Sequence, residues 1–306
     1  MNLVFEPPDR DKFLRCLNEC FPGWGEGPMY DWSFARRASA PPPERMVFTD
    51  AAGEWIAGTA ISYRVLRAVG RRWLGGVMTG SWTLASARGK GLFPRFIQET
   101  RVRVAYHGGV AVLGFAGDLE RASTRKLAQA GSRCVPSFHG IGEIMTDFAA
   151  PLDVDVRPVA EADLGELYDR WKQRAERAGG FAYDDLGAFA GQFVRRALPT
   201  EVARTDGDAL AILEVAKDTD RVLFLDAGAA SATEVLRSLH ARASSARRKL
   251  FAFAVGEEDA RPLLAAGLAP KPGYFTILPA TDSVADAAIC DALAGTRWDF
   301  QAGDRI

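Results

Sequence analysis

The sequence predicts an α+β protein of two tandem domains, each with a mixed, mostly antiparallel sheet flanked by helices. Three observations lead to this prediction. The chain has 306 residues, a length that suits two domains of roughly 150 residues each. Strand-like and helix-like patterns alternate through the first half of the chain. A similar order of elements returns in the second half, which indicates an internal repeat.

Composition and charge exclude several classes of function. Hydrophobic residues make up 48% of the chain, which is enough for two packed cores, and 38 Lys and Arg residues balance 39 Asp and Glu residues. This balance lacks the basic footprint of a nucleic-acid or anionic-membrane binder. No apolar run reaches the roughly 18–20 residues of a membrane span, and the N-terminus does not resemble a signal peptide. We therefore expect a cytoplasmic protein, monomeric or homodimeric, that acts on small molecules.

The four cysteines are too few and too scattered for a disulfide framework. Cys16 and Cys20 are one helical turn apart, but no second pair of Cys or His residues completes a metal site with them. Cys134 and Cys290 are isolated. We therefore predict small core cysteines and no metal ion.

The first half of the chain alternates between strand and helix patterns. Residues 50–53, Asp-Ala-Ala-Gly, are typical of a hairpin turn, and the apolar run 110–115 is typical of a buried parallel strand. The predicted order is a strand (3–5), a helix (from 9), an aromatic loop (21–32), strands (46–49, 54–69 and 73–84), a glycine-rich turn, a helix (to about 107), a strand (110–115), a helix (118–130) and closing strands (137–138 and 143–148).

The glycine-rich turn, residues 85–94, separates a strand from a helix. Gly89 and Gly91 can adopt positive φ angles and let a ligand approach the main chain. The helix N-terminus adds free N–H groups and a positive dipole end, and Arg88 and Lys90 add two cations. These features predict an anion-binding turn. An ordinary turn is the alternative, because the motif satisfies neither the phosphate-loop nor the dinucleotide-binding pattern.

Residues 86–91, Ser-Ala-Arg-Gly-Lys-Gly, resemble the pyrophosphate loop of GCN5-related N-acetyltransferases. In that family Gln or Arg is followed by two residues, Gly, one residue, and Gly or Ala; Ser86 replaces the opening residue. The order of elements in the first half also matches the family's fold. The resemblance implies an acyl-CoA-dependent acyltransferase with acetyl-CoA as donor. It implies that coenzyme A contacts the strand end and the turn, through Trp82, Thr83, Leu84, Arg88, Gly89, Lys90, Gly91, Leu92 and Phe93.

The family's usual catalytic groups are missing from their usual places. Where the family often has Tyr, four residues before a Gly-Phe pair, this chain has Leu127, and the strand 73–84 contains no Glu or Asp. The catalytic residues therefore stay unassigned. A nucleophilic role for Cys134 is disfavoured, because no His partner is visible. The candidates for proton transfer are Asp118, His139, Glu143 and Asp304.

Aromatic residues are the candidates for acceptor binding. We expect contacts from Tyr30, Trp32, Trp82 and Trp298, and an aromatic pocket suits either a sugar face or an apolar amine. The alternative is that these rings only cover the core. The tail 296–306 resembles the end of two-copy acetyltransferase-like proteins of polysaccharide and natural-product pathways. That resemblance implies a tail that folds back towards the cleft between the two copies, and plain packing of its aromatic residues is the alternative. We expect the acceptor to be an amine of a small molecule, such as an amino sugar or a natural-product or polysaccharide precursor.

The second half differs from the first where coenzyme A would bind. We predict two domains, 1–150 and 151–306, of which the second is a diverged copy. Its corresponding turn, residues 226–230, begins with Asp226 and contains no Arg or Lys. A carboxylate there repels a pyrophosphate, so we expect that the second copy has lost coenzyme binding. The alternative function is a non-catalytic sensor or structural protein that binds coenzyme A or another small ligand.

Overall fold

The computed structural model describes residues 1–36, 41–146, 150–206 and 208–305. They form two compact units. Unit 1 comprises Met1–Cys134 and Thr276–Gly295, and unit 2 comprises Val135–Phe275 with the residues from Thr296 onwards. Each unit contains residues from both predicted domains, 1–150 and 151–306, so the boundary at residue 150 stays a prediction.

The secondary structure agrees with the predicted α+β class. The strands are β1 (Asn2–Phe5), β2 (Glu44–Thr49), β3 (Trp55–Ala68), β4 (Arg71–Thr83), β5 (Ala111–Ala116), β6 (Arg133–Gly142), β7 (Val154–Pro158), β8 (Gly180–Phe181), β9 (Thr200–Thr205), β10 (Leu210–Val215), β11 (Thr219–Asp226), β12 (Lys249–Val255) and β13 (Ala269–Pro279). The helices are α1 (Arg10–Cys20), α2 (Gly27–Phe34), α3 (Leu92–Tyr106), α4 (Ala122–Gln129), α5 (Leu164–Ala175), α6 (Leu186–Phe193), α7 (Ala232–Ser245), α8 (Glu257–Ala265) and α9 (Val284–Ala294).

In unit 1 the strands are neighbours in the order β1, β2, β3, β4, β5 and β13. The first four pair antiparallel, and β4 pairs parallel with β5. A parallel pair needs a crossover, and α3 supplies it. The part of β13 in this unit lies beside β5, where the Ala280 N–H donates to the Val110 carbonyl oxygen at 3.0 Å. Unit 1 therefore has the mixed, mostly antiparallel sheet that the sequence predicts.

Apolar side chains cover both faces of the unit 1 sheet. On one face, below α3, the rings of Phe48 and Phe96 lie 4.6 Å apart. On the other face, Phe13 of α1 makes edge-on contacts with Phe34 of α2 and Trp82 of β4, each at 5.6 Å. The face below α1 and α2 thus fixes the end of β4, which leads into the glycine-rich turn.

Unit 2 repeats this plan. Its strands are neighbours in the order β13, β6, β12, β11, β10, β9 and β7. The parallel pair is β11 with β12, joined by α7. The pairs β6–β12, β10–β11, β9–β10 and β7–β9 are antiparallel. Leu213, Leu236 and Leu250 are buried in the core below α7 and α8. The segments β4-α3-β5 and β11-α7-β12 are therefore equivalent, in agreement with the predicted repeat.

Two details differ from the sequence-based expectation. The aromatic loop 21–32 contains α2, which begins at Gly27 with Pro28 in its first turn. The predicted closing strands at 137–138 and 143–148 are replaced by the single strand β6. Residues 143–146 are not in a strand, because unit 2 side chains bind their backbone: His240 Nε2 contacts the Glu143 carbonyl oxygen at 2.7 Å. Residues 147 and 148 lie outside the described residues.

Within the described parts of the chain, no helix combines the length and the apolar character that crossing a membrane requires.

Candidate coenzyme site

A gap opens between β4 and β5 in unit 1. The two strands pair at three positions, from Gly75 with Ala111 to Val77 with Leu113. Beyond Val77, β4 continues to Thr83 with β3 as its partner. No pairing of this segment with β5 exists in the described part of the chain. The edge of β4 that faces away from β3 therefore has no strand partner among the described residues over about six residues.

A β-bulge lies in this segment of β4. Ala60 pairs with Thr79, but Gly58, two residues earlier in β3, pairs with Trp82, so β4 contributes one extra residue. Gly80 has a φ of 56°, and a Cβ atom there would lie 2.6 Å from Cζ of Phe34. Only glycine combines this conformation with this close approach. The bulge thus redirects the β4 backbone at the gap.

A pair of hydroxyl groups holds the bulge. Thr59 Oγ1 and Ser81 Oγ are 2.7 Å apart, and Thr59 Oγ1 also donates to the Thr79 carbonyl oxygen at 3.3 Å. Thr59 is fully buried, whereas Ser81 is half-buried. The bulge is therefore a fixed part of the strand.

The glycine-rich turn begins directly after β4. Residues Ala85–Ala87 form a single 3-10 turn, and Gly89 and Gly91 then adopt φ angles of 80° and 73°. A Cβ atom at either glycine would meet no atom within 4 Å, so both main-chain positions face open space. The predicted positive φ angles at these glycines are confirmed.

Several consecutive backbone N–H groups at the beginning of α3 have no acceptor among the described residues. Among the described residues, none accepts a hydrogen bond from the backbone N–H groups of Gly89 to Phe93. The N-cap residue Gly91 supplies no side-chain acceptor, and the first turn contains no acidic residue. Five consecutive free N–H groups at a helix N-terminus favour an anionic ligand, because the helix dipole acts in the same direction.

Two exposed cations flank these donors. Arg88 Nε donates to the Thr83 carbonyl oxygen at a long 3.4 Å, which ties the turn to the end of β4. In the described parts of the chain neither Arg88 nor Lys90 has a carboxylate partner within ion-pair distance. The charge of both side chains is therefore available to an anionic ligand.

The three strand residues predicted to contact coenzyme A differ in the direction and in the partners of their backbone N–H and carbonyl groups. The Leu84 N–H donates to the Ile56 carbonyl oxygen at 3.0 Å, so it belongs to the β3 ladder. Since successive strand residues direct their backbone groups to opposite edges, the Thr83 backbone groups face the gap. Trp82 pairs with Gly58, and its ring is buried against Phe13. Of these three residues, Thr83 is the one whose backbone groups face the gap, where its carbonyl oxygen accepts Arg88 Nε at 3.4 Å and its backbone also hydrogen-bonds the Cys20 thiol.

The predicted acceptor residues are buried. Tyr30 is 1% exposed, and its hydroxyl oxygen accepts a hydrogen bond from Arg45 Nη1 at 2.6 Å. The Trp32 ring is covered by the Arg36 guanidinium at 3.7 Å. Trp298 belongs to unit 2, where its ring stacks on Phe300 with centroids 4.9 Å apart. All three are packing residues in this structure, so their role in acceptor binding stays a prediction that the geometry does not support.

The candidates for proton transfer do not form a cluster in unit 1. Asp118 follows β5, but its Oδ1 accepts the backbone N–H groups of Glu120 and Arg121 at 3.1 and 3.2 Å. The other three belong to unit 2. There the His139 ring lies 5.2 Å from that of Phe253, Glu143 forms an ion pair with Lys249, and Asp304 accepts a hydrogen bond from Tyr183.

The cysteine thiols are poor nucleophiles in this structure. Burial raises the pKa of Cys134, and burial also raises the pKa of Cys290, to about 12. A raised pKa lowers the fraction of thiolate at neutral pH. Within the described residues, no group of three His, Cys, Asp or Glu side chains is arranged to hold a metal ion.

The equivalent helix N-terminus in unit 2, at the beginning of α7, is capped by the chain's own side chains. Ser231 Oγ accepts the Glu234 N–H at 3.1 Å, and Glu234 Oε2 accepts the Ser231 N–H at 3.3 Å, which is a capping box at the beginning of α7. Asp226 adds a second carboxylate, 3.3 Å from Arg170. The spacing Ser-x-x-Glu carries this signal in the sequence, in addition to the charge of Asp226.

Comparison with known proteins identifies the fold. No family model matches the sequence, and no curated protein matches it. Among solved structures, the chain is similar to a GCN5-related N-acetyltransferase from Sphaerobacter thermophilus, with 12% identity, a TM-score of 0.57, and coverage of 92% of this chain and 97% of the other. It is also similar to the tandem GNAT protein from the clavulanic acid biosynthesis pathway, with 11% identity, a TM-score of 0.59, and coverage of 92% and 100%.

A third similar structure is N-myristoyltransferase from Saccharomyces cerevisiae with bound myristoyl-CoA and inhibitors. It is 10% identical, with a TM-score of 0.64 and coverage of 90% of this chain and 80% of the other. The chain therefore has the fold of the GCN5-related N-acetyltransferases. The chain has the tandem form of this fold, with one copy in each unit, as the sequence predicts.

Proposed function

We propose that the chain is an acyl-CoA-dependent acyltransferase with one coenzyme site, in unit 1. The observation that carries the proposal is the run of five unused backbone N–H groups from Gly89 to Phe93, with Arg88 and Lys90 beside it. Acetyl-CoA is the proposed donor. The proposed acceptor is an amine of a small molecule, such as an amino sugar or a natural-product precursor.

The charge and shape of the site support a pyrophosphate ligand. A hydrogen bond to a charged group contributes about 1.5–3 kcal/mol, and an anion at a helix N-terminus gains about 0.3–1 kcal/mol from the dipole. Two glycines that face open space let phosphate oxygens approach the main chain. The gap beside Thr83 is continuous with this turn along β4, so an extended amide chain can follow the strand edge.

The proposed reaction is a direct attack of a neutral amine on the thioester carbonyl. A C–N bond forms, the C–S bond breaks, and the coenzyme A thiolate leaves. The proton that the amine loses passes through solvent or a base to that thiolate. The chain's contribution is orientation along β4 and a backbone N–H that faces the developing oxyanion. The bulge at Gly80 supports this role, because a bulge leaves its extra residue out of the strand ladder.

A non-catalytic sensor that binds coenzyme A is the second candidate. It is favoured by the absence of Asp and Glu from β4 and by the engagement of Asp118 in capping its own turn. Both candidates share the coenzyme site in unit 1 and differ in turnover. We also propose that the protein is cytoplasmic and that its partners are small molecules.

A thiol-release assay separates the two candidates. Purified protein is incubated with acetyl-CoA and a panel of amines and amino sugars, and free coenzyme A thiol is measured with a disulfide reagent. We expect acceptor-dependent thiol release above the rate with acetyl-CoA alone. Binding of acetyl-CoA without thiol release across the panel would favour the sensor, and a lack of binding at millimolar acetyl-CoA would contradict both candidates.

A further inference from the structure

Unit 2 has the same kind of strand gap as unit 1. β11 and β12 pair at three positions, from Thr219 with Lys249 to Arg221 with Phe251. Beyond them β11 continues to Asp226 and β12 to Val255, with no further pairing between the two strands in the described residues. The gap therefore lies at the place where unit 1 opens beside β4.

The C-terminal segment of the chain binds at this gap. The Leu225 N–H donates to Gln301 Oε1 at 2.7 Å, and Gln301 Nε2 approaches the Leu225 carbonyl oxygen at 3.4 Å. One side-chain amide thus contacts both backbone groups of a β11 residue. A strand edge makes the same pair of contacts with a secondary amide of a ligand.

The residues after Gln301 pack closely on β11. The 3-10 turn Ala302–Asp304 is buried, and a Cβ atom on Gly303 would lie 2.3 Å from the Phe193 ring and 2.7 Å from the Leu223 carbonyl oxygen. Asp304 Oδ1 accepts a hydrogen bond from the Tyr183 hydroxyl at 2.9 Å. The tight approach at Gly303 requires glycine, so this segment is fitted to the strand.

The two ends of the segment are anchored on different elements. Before it, Asp299 forms two hydrogen bonds with Arg174, at 2.5 and 2.7 Å, and Arg174 also donates to the Leu225 carbonyl oxygen at 2.8 Å. After it, the Arg305 guanidinium lies 4.7 Å from the ring centroid of Phe253 in β12. The segment therefore extends from β11 to β12, across the gap.

We propose that residues 300–305 are a built-in occupant of the unit 2 gap, and that the gap is a latent binding site for an uncharged amide ligand of the pantetheine type. Asp226 and Glu234 place two carboxylates where a pyrophosphate would have to bind, so displacement of the segment opens the gap to pantetheine and not to coenzyme A. In the intact chain the tethered segment has a high effective concentration and excludes the ligand. This inference does not depend on the proposed activity of unit 1.

The first test is the exchange of the Leu225 amide hydrogen with deuterium, followed by NMR on the full chain. Gln301→Met keeps the side-chain length and removes both contacts with Leu225. We expect exchange of the Leu225 amide to become about tenfold faster, since two hydrogen bonds of ordinary strength are lost. The control Gln129→Met alters an exposed glutamine of α4 and should leave this amide unchanged. An unchanged rate in Gln301→Met would overturn the proposal.

The second test is ligand binding by the full-length variant Gly303→Ala, in which the added Cβ forces the segment out of the gap. The control is Gly295→Ala, where a Cβ meets no atom closer than 3.7 Å. We expect S-methyl pantetheine to shift the amide signals of β11 in Gly303→Ala and not in the control or the wild type. The absence of such shifts, or equal shifts of β11 by coenzyme A, would overturn the proposal. If Gly303→Ala does not fold, the same titration of Gln301→Met decides the question.

Discussion

Ser231 and Glu234 each accept a hydrogen bond from the other's backbone N–H at the beginning of α7. The equivalent helix of unit 1, α3, has Gly91 as its N-cap residue, with no side-chain cap and with free N–H groups. The repeated fold thus has one helix N-terminus that is satisfied by its own residues and one that is open to an anion. This difference is the basis for assigning a single coenzyme site to the chain.

Charge reversal in the turn should weaken coenzyme binding. Arg88→Glu replaces a cation beside the free N–H groups with an anion, a change of two charge units. At about 1 kcal/mol for each unit-charge contact in water, we expect the Kd for acetyl-CoA to rise by about thirtyfold. Calorimetric titration at low and high salt measures the effect, which should shrink as salt screens the exposed charges. Asp226→Ala is the matched control in unit 2, and an equal loss in both variants would refute the assignment.

The positive φ angle of Gly91 should be needed for binding. Gly91→Ala places a Cβ in a left-handed conformation, which costs about 1–2 kcal/mol, although no atom lies within 4 Å of that Cβ. We expect the first turn of α3 to reorganise and the affinity for acetyl-CoA to fall. Gly165→Ala in α5 is the control, because its Cβ also faces open space and its φ is negative. Comparable affinity in the two variants would show that the geometry of the turn is not used.

The bulge should depend on the close approach between Gly80 and Phe34. Gly80→Ala combines a positive φ with a Cβ 2.6 Å from the Phe34 ring, so we expect unit 1 to lose about 2–4 kcal/mol of unfolding free energy. Gly53 also has a positive φ, but a Cβ there would face open space, so Gly53→Ala measures the free-energy cost of the backbone conformation alone. Urea denaturation gives both values, and Phe34→Leu should recover part of the loss in Gly80→Ala. Equal losses of unfolding free energy in the two variants would show that the close contact with Phe34 adds nothing to the cost.

Acid should weaken the anchor between β7 and α5 in unit 2. The Arg157 guanidinium, with hydrogen bonds of 2.6 and 2.7 Å, lowers the pKa of Asp163 to about 2. Because the folded-state pKa lies below the unfolded value, this carboxylate stabilises the fold above about pH 4 and stops doing so as the pH falls towards 2. Arg157 is exposed to solvent, so we expect the contribution to be small.

Urea denaturation between pH 6 and pH 2 tests this contribution. The wild type should lose its excess stability over Asp163→Asn across this range, and the two curves should converge near pH 2. Asp155→Asn, on the same strand, is the exposed control and should parallel the wild type. A constant difference between wild type and Asp163→Asn down to pH 2 would contradict the assignment to this ion pair.

The fold could be predicted because its signals are local. The continuous apolar run 110–115 covers most of β5 (Ala111–Ala116), and the glycines at 89 and 91 adopt the positive φ angles expected in a turn before a helix. The bulge at Gly80 was missed, although an isolated glycine inside a strand is a known sign of one. Its cause, the Phe34 ring, is 46 residues away in the sequence and becomes a neighbour only in the folded unit.

The role of the tail could not be predicted from the sequence. Trp298 and Phe300 predict packing of the C-terminus, but the contact of Gln301 with Leu225 joins residues 76 positions apart. The choice of β11 as its partner depends on where β11 and β12 separate, which no local pattern encodes. For the same reason the sequence leaves open whether Tyr30 and Trp32 cover the core or line a pocket, and the structure shows that both are buried.

The most direct test of the central claim is the stoichiometry of acetyl-CoA binding, measured by isothermal titration calorimetry on the full chain. We predict one acetyl-CoA per chain in the wild type and in Glu234→Ala, and strongly weakened binding in the double variant Arg88→Glu, Lys90→Glu. Two equivalents per wild-type chain, or one equivalent that survives the double variant with unchanged affinity, would contradict a single site at the turn of unit 1.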